Sequence, residues 1–151
     1  MKAIEGILRG SGLDPRCLEL NMTESVVMQD ARQVIAILQQ IKAPGVKLAI
    51  DDFGTGYSSL SCLKPFPVDR LKTDQSFVRD ITSNPDDASI AQAVINLGHS
   101  QDLRGIAEGV ETQVLLDFLR ACRCGEKQGL LVGKAVPAEA FAQLLGRGAV
   151  Q

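Results

Sequence analysis

Two adjacent carboxylates, Asp51 and Asp52, follow an otherwise apolar segment, VKLAI. Paired carboxylates at the end of a buried strand offer the oxygen ligands that a hard divalent cation prefers. They can also contribute to a two-metal clamp on a phosphodiester. A strand-end cap, in which the carboxylates accept hydrogen bonds from loop amides, is the structural alternative that the residues leave open.

Other polar residues stand where further apolar segments end or begin. Lys72 closes the next segment, where it could neutralise phosphate charge or orient a water, or be a surface lysine that pairs with Asp74. Glu108 ends a fourth predicted strand, and Gln128 begins a fifth. Because ligands bind at the carboxyl ends of strands in parallel α/β folds, these residues predict a site at one rim of a sheet.

Short apolar runs alternate five times with longer amphipathic stretches. This order is typical of an α/β fold with a parallel sheet and right-handed crossovers. The predicted strands are Cys17–Met22, Val46–Phe53, Val68–Thr73, Leu103–Ala107 and Gln128–Val132. The predicted helices are Ala3–Arg9, Glu24–Ile41, Ser58–Leu63, Ala88–Gly98, Thr112–Arg123 and Pro137–Leu145.

The composition narrows the class of protein. The 151 residues, 45% hydrophobic and 23% charged, suit one globular domain over residues 1–151. A net charge of −2 argues against duplex nucleic acid as a partner. No apolar run approaches the ~20 residues that span a bilayer, so no membrane partner is expected. The four cysteines, without a secretory pattern, favour a reducing cytoplasm over disulfides or zinc.

Four segments together resemble one known family. LELNMTES, LAIDDFGTGYSSLSCLKPFPVDRLKTDQSFV, IAEGVET and QGLLVGKAVPAEAF are similar to the EAL family of cyclic di-GMP phosphodiesterases of bacterial signalling. The resemblance covers Gly12 to Leu145. It implies a modified TIM barrel that uses Mg²⁺ or Mn²⁺ to hydrolyse cyclic di-GMP to the linear dinucleotide pGpG.

The resemblance also implies roles for individual residues. Asp51, Asp52 and Glu108 match metal ligands of the family. Lys72 matches the lysine that positions the attacking water or stabilises phosphate, and Gln128 would lie beside that site. Lys72, Glu108 and Gln128 are therefore the candidate catalytic residues.

Two further positions carry over from the same motif. Glu24 matches the glutamate that braces the loop after the paired aspartates, here Gly54–Ser59. Asn21 stands where the family has a metal-binding glutamate, and an amide oxygen brings no charge to a cation. The sequence also contains neither an E-A-L triplet nor the N-x-S-type strand end, which supply metal ligands in the family.

A complete eight-stranded barrel takes about 250 residues. We therefore expect a single truncated domain, a partial TIM-barrel-like (βα) repeat whose N-terminal strands are missing. Leu48, Ile50 and Leu71 would then face an incomplete core. An open α/β sandwich, a homodimer and a partner chain that completes the barrel are the possible outcomes; a homodimer is expected unless the helix Ala3–Arg9 folds over the open side.

The expected function follows from the missing ligands. A domain that lacks about half of its metal ligands binds divalent cations weakly or not at all. We expect a catalytically inactive cyclic di-GMP signalling domain that acts as a binding or assembly module. An active metal-dependent phosphodiesterase and a structural remnant without a ligand are the alternatives.

Overall fold

Five parallel strands form one sheet in sequence order in the computed structural model, which describes residues 2–28, 31–55 and 63–146. All neighbouring strands pair in parallel. The predicted α/β class with five parallel strands is therefore confirmed. The strands are β1 (Glu19–Thr23), β2 (Lys47–Phe53), β3 (Arg70–Thr73), β4 (Arg104–Ala107) and β5 (Glu126–Lys127).

Helices lie between the strands and at both ends of the described chain. They are α1 (Lys2–Ser11), α2 (Glu24–Met28), α3 (Ala31–Lys42), α4 (Gln75–Arg79), α5 (Pro85–Ser100), α6 (Gln113–Ala121) and α7 (Ala138–Gly146), with a 3-10 turn at Pro15–Cys17. The predicted helix Glu24–Ile41 corresponds to α2 and α3, with residues 29–30 outside the described chain. The predicted helix Ser58–Leu63 lies outside it too, apart from Leu63.

Helix α4 was not predicted from the sequence. Its N-cap is Asp74, whose side chain accepts a hydrogen bond from the Ser76 N–H at 2.7 Å. Asp at an N-cap satisfies one of the free N–H groups of the first helical turn. The residues after strand β3 therefore begin a helix directly at the sheet edge.

The predicted fifth strand, Gln128–Val132, is wrong. The strand is Glu126–Lys127, and the chain turns immediately after it. A Cβ atom at Gly129 would collide with the backbone of Val110, so this residue lies tightly against Val110. The Leu131 N–H donates to the Val110 carbonyl oxygen at 3.1 Å. The apolar run that resembles a strand is thus a turn held against the loop after β4.

The prediction that Leu48, Ile50 and Leu71 face an open barrel interior is also wrong. All three are fully buried and pack in one cluster with Leu38 of α3 and Val94 of α5. Side chains alternate between the two faces of a strand, so the neighbouring positions lie on the opposite face. We call that opposite face the polar face; it carries Glu19, Asn21, Ala49, Asp51, Arg70, Lys72, Ile106 and Glu126.

The packing of the apolar strand residues against helices removes the argument that a homodimer is needed to cover an incomplete core. The apolar strand residues already bury their surface against the chain's own helices, so they leave no apolar interior for a second copy to cover. A second cluster, built on Val78, Ile95, Leu115 and Leu119, packs α4, α5 and α6 together. Among the helices that the structure describes, none combines the length and apolar character of a membrane span.

At the amino-terminal side of the sheet, Asp69 joins three segments. Its carboxylate accepts a hydrogen bond from Lys42 Nζ at 2.9 Å and one from the Leu48 N–H at 3.0 Å. Burial by itself would raise the pKa of Asp69, but these hydrogen bonds and the charges of Lys42 and Lys47 lower it below the usual value. Folding therefore stabilises the ionised carboxylate and anchors the start of β2 to the end of α3.

We predict that Asp69→Asn destabilises the fold by about 1–3 kcal/mol at pH 7, because it removes a charge that accepts two hydrogen bonds. Since the pKa is lower in the folded state, this contribution is complete above the ordinary carboxyl pKa of about 4. It is lost as the pH falls through the folded value. Urea unfolding from pH 7 to pH 2.5 should show wild type and variant converging in acid. Asp117→Asn, on the exposed face of α6, is the control and should change stability little; a constant gap at all pH values would contradict this account.

Candidate functional site

Three strand ends bring opposite charges together at the carboxyl edge of the sheet. Lys72 Nζ lies 3.0 Å from Asp51 Oδ1 and 2.5 Å from Glu108 Oε1. Asp51 belongs to β2, Lys72 to β3, and Glu108 directly follows β4. Lys72 is only 7% exposed, so it is a buried lysine between two carboxylates and not a surface lysine that pairs with Asp74.

The surroundings of Lys72 keep it charged. Burial alone would lower its pKa, but hydrogen bonds to Glu108 and Asp51, together with their negative charges, raise it above the ordinary value. A buried cation needs such partners, because leaving it unpaired costs several kcal/mol. The ammonium group therefore ties the ends of three strands into one cluster.

Asp52 has a strained backbone next to this cluster. Its φ angle is 54°, in the left-handed region that non-glycine residues seldom adopt. The register between β2 and β3 shifts between Ile50 and Phe53, so the strand bulges here. The Asp52 N–H donates to Asp51 Oδ1 at 3.2 Å, and Thr55 Oγ1 donates to the Asp52 carbonyl at 2.9 Å. The bulge turns two consecutive carboxylates toward the same edge of the sheet.

Asp52 and Asp74 form a carboxyl pair at this edge. Burial, a hydrogen bond with Asp74 and the charges of Asp51, Asp74 and Glu108 raise the pKa of Asp52. For Asp74, burial is outweighed by hydrogen bonds from Ser76 and from Asp52, which lower its pKa. Asp52 therefore holds a proton more readily than an ordinary aspartate, and Asp74 remains the ionised cap of α4.

Two predicted site residues lie at the flanks of the cluster. Asn21 is exposed on β1 and is in register with Ala49, one step along the polar face from Asp51. Gln128 follows β5, and its backbone N–H donates to the Ala107 carbonyl at 2.9 Å. Its exposed side chain lines a cavity of about 280 Å³ with Glu108 and Glu111. Neither residue is part of the Lys72 ion-pair cluster.

Glu24 contacts Gly54, which follows the paired aspartates by two residues. Glu24 is 4% exposed, and its Oε2 accepts a hydrogen bond from the Gly54 N–H at 3.1 Å. Gly54 has a φ of 104°, and a Cβ there would come within 3.1 Å of the Phe77 ring. The contact therefore fixes the first residue of the predicted loop Gly54–Ser59, of which residues 56–59 lie outside the described chain.

The donor chemistry of the edge fits a hard divalent cation. Four carboxylates (Asp51, Asp52, Asp74 and Glu108) lie at this edge, and two of them, Asp51 and Glu108, pair with the Lys72 ammonium. Burial, the hydrogen bond with Asp74 and neighbouring negative charges raise the pKa of Asp52. Carboxylate oxygens are the ligands that Mg²⁺ and Mn²⁺ prefer. Within residues 2–28, 31–55 and 63–146, however, no three His, Cys, Asp or Glu side chains converge on one position. The described residues thus bring carboxylates to this edge without forming a complete metal site.

Sequence reasoning missed a second charged group on the polar face. Arg70 lies two residues before Lys72 on β3 and pairs with Glu19 of β1 and with Glu126 of β5. The spacing of two residues on a strand was the available signal, because it places Arg70 and Lys72 on one face.

The parallel (βα) order and the acidic carboxyl edge define a TIM-barrel-like domain with a site at its strand ends. The chain belongs to the EAL domain family, whose model matches residues 1–135. The bifunctional diguanylate cyclase/cyclic di-GMP phosphodiesterase MucR of Pseudomonas aeruginosa is 43% identical over 137 residues. The match covers 91% of this chain and 20% of MucR, so the chain spans about a fifth of that relative.

Solved structures of the family share the fold. The PaMucR phosphodiesterase in complex with c-di-GMP matches with a TM-score of 0.89 and 42% identity, over 93% of this chain and 57% of that one. A manganese/cy-diGMP complex of Klebsiella pneumoniae BlrP1 at pH 9.0 matches with a TM-score of 0.78 and 34% identity, over 87% of this chain and 34% of that one. Both are complexes with the dinucleotide, and the second also carries a divalent metal.

We predict that Lys72→Met destabilises the fold by about 1–3 kcal/mol, because it leaves Asp51 and Glu108 as unpaired neighbouring carboxylates. Urea unfolding at pH 7 measures the change. The matched control is Lys64→Met, which removes an exposed lysine and should shift stability by less than about 0.5 kcal/mol. Equal effects of the two substitutions would mean that the Lys72 ion pairs contribute nothing specific.

Proposed function

We propose that this chain is an EAL-type cyclic di-GMP signalling domain that binds the dinucleotide but does not hydrolyse it by itself. The observation that carries the proposal is the Lys72 ammonium, held by Asp51 and Glu108 at the carboxyl edge. A buried, permanently charged donor at a strand edge suits a phosphate group. The cavity of about 280 Å³ beside Glu108 gives a ligand room at the same edge.

The proposed absence of turnover rests on the incomplete set of metal ligands. Asn21 offers a neutral amide oxygen where the family has a carboxylate, and the 151 residues contain no E-A-L triplet. Two-metal hydrolysis of a phosphodiester needs ions clamped on both the attacking and the leaving oxygen. Asp51 and Glu108 already pair with Lys72. They would therefore bind divalent ions weakly, because the ammonium competes for the same carboxylate oxygens.

Each residue of the edge has a proposed role. Asp51, Asp52 and Glu108 would face Mg²⁺ or Mn²⁺ when one is bound, with Asn21 as a weak additional ligand; such an ion would supply charge neutralisation for the phosphate. Lys72 donates to a phosphate oxygen, and Gln128 contacts the ligand from the cavity. Glu24 keeps the loop after Asp52 in place through Gly54. The cytoplasm is the proposed location.

An active phosphodiesterase is the second candidate. One observation favours it. Lys72 is in ion-pair contact with both Asp51 and Glu108, and the Asp52 N–H donates a hydrogen bond to the Asp51 carboxylate. A second chain that adds metal ligands to these carboxylates would give a cation site with more ligands.

We predict no measurable formation of pGpG when the 151-residue chain is incubated with cyclic di-GMP and Mn²⁺ or Mg²⁺, because the ligand set is incomplete. Chromatography of the nucleotides measures the product. Asp52→Ala is the control for contamination: a rate that is abolished by this substitution would contradict the proposal and favour the active phosphodiesterase. A weak rate that survives the substitution would come from a contaminating enzyme.

We predict that calorimetry detects cyclic di-GMP binding to the wild-type chain and that Lys72→Met weakens it about tenfold or more. The loss of a charge-assisted hydrogen bond to phosphate is worth about 1.5–3 kcal/mol. The exposed Lys64→Met variant should bind as the wild type does. Absence of any binding heat at high micromolar nucleotide would reject the binding function and favour a structural role.

We propose that the chain also self-associates, through the apolar side chains near its C-terminus. The residues between 130 and 145 expose a run of large apolar side chains, and those of α7 recur at helical spacing. Exposed apolar area of this kind marks an interaction site. The residues are Leu130, Leu131, Val132, Val136, Phe141, Leu144 and Leu145, each at least 39% exposed.

We predict that the chain sediments as a homodimer at micromolar concentration, at twice its mass of 16.2 kDa. Phe141→Glu should shift it to a monomer, because it places a charge in the apolar contact. Val114→Glu, at an exposed apolar position on α6, should leave the dimer intact. A wild-type monomer would overturn the homodimer and leave a different chain as the partner that covers this surface.

A further inference from the structure

A second layer of ion pairs lies on the polar face, next to the Lys72 cluster. Arg70 Nη1 is 2.8 Å from Glu19 Oε2 on β1, and Arg70 Nη2 is 3.2 Å from Glu126 Oε1 on β5. Arg70 and Lys72 are two residues apart on β3, so both cations project from the middle strand toward the same side. Lys72 thus joins β2 to the end of β4, and Arg70 joins β1 to β5.

The contacts of Arg70 constrain the shape of the sheet. Neighbouring strands lie about 4.8 Å apart, so β1 and β5 are each roughly 10 Å from β3 in a flat sheet. A single guanidinium that meets carboxylates from both outer strands draws them toward one side. In the sheet that the described residues form, β1 pairs with β2 over five residues, and β5 pairs with β4 through two.

The strand order links Arg70 to the candidate site. Asp51 lies on the strand next to β1, and Glu108 follows the strand next to β5. Both of these strands pair directly with β3, and Lys72 contacts both carboxylates. We propose that Arg70 is a positioning residue that clamps the two outer strands and thereby holds Asp51 and Glu108 at their distances from Lys72. Its effect on ligand binding rests on the proposed function, whereas its effect on Lys72 does not.

A neighbouring arginine supplies a matched control. Arg104 lies in register with Arg70 on β4 and is 3.8 Å from the same Glu126 carboxylate. The Arg104 side chain is 73% exposed and its ion pair with Glu126 reaches one other strand, β5. The Arg70 side chain is 27% exposed and forms ion pairs with two other strands, β1 and β5. Arg104→Gln therefore removes the same charge from the same face without breaking the clamp.

The experiment compares Arg70→Gln with Arg104→Gln in the full chain carrying labelled lysine. NMR follows the hydrogen exchange of the Lys72 ammonium at a temperature at which both variants are fully folded. Arg70→Gln should speed this exchange about tenfold or more, the change that corresponds to a 1.4 kcal/mol weaker set of ion pairs. Arg104→Gln should leave it unchanged. In calorimetry, Arg70→Gln should weaken cyclic di-GMP binding about fivefold or more.

The outcomes separate the possible roles of Arg70. If Arg70→Gln lowers the melting temperature but leaves the Lys72 exchange as in Arg104→Gln, Arg70 is a structural residue only and the proposal is overturned. If the wild-type chain binds no cyclic di-GMP, the proposed function fails, and the lysine measurement still decides the clamp. If Arg70→Gln does not fold, Glu19→Gln breaks the arm to β1 alone and must speed the exchange in the same direction, or the proposal is rejected.

Discussion

The pairing of one buried lysine with two carboxylates constrains the whole carboxyl edge of the sheet. Removing the Lys72 ammonium from water is unfavourable unless Asp51 and Glu108 both remain within contact. These two residues belong to strands on either side of β3, so the ends of β2, β3 and β4 must converge. The bulge at Asp52 and the cap of α4 by Asp74 add further carboxylates to the same place. The result is an edge with more negative than positive charge. A phosphate ligand would need Lys72 or a bound cation to offset the repulsion from the carboxylates.

One face of the sheet packs in the apolar core, and the opposite face carries the charged residues. The apolar residues Leu48, Ile50 and Leu71 pack against α3 and α5 and supply the hydrophobic contribution to folding. The opposite face carries paired charges, with Arg70 and Lys72 as its two central cations. The charged residues of this face are not part of the apolar cluster beneath the helices. The contacts that hold the fold and the charged contacts at the sheet edge therefore lie on different faces.

Sequence patterns predicted the parts of the fold that depend on local order. The alternation of strands and helices, and the convergence of Asp51, Lys72 and Glu108, follow from the direction of parallel strands. The alternation of Leu71 with Arg70 and Lys72 places these residues on opposite faces of a strand, but it does not show which face the helices cover. The misplaced fifth strand has a different cause: Leu130, Leu131 and Val132 have strand-like composition, but Gly129 packs against Val110 and turns the chain. The pairing of Arg70 with two outer strands depends on curvature, which no local pattern encodes.

The central claim is that a buried, doubly paired lysine organises the edge of this EAL domain. A crystal structure of the 151-residue chain at about 1.5 Å resolution, grown without nucleotide or divalent metal, measures this most directly. The account predicts Lys72 Nζ within hydrogen-bond distance of both Asp51 and Glu108, with Leu48 and Leu71 on the helix side of the sheet. A Lys72 side chain extended into solvent, with the two carboxylates apart, would contradict it.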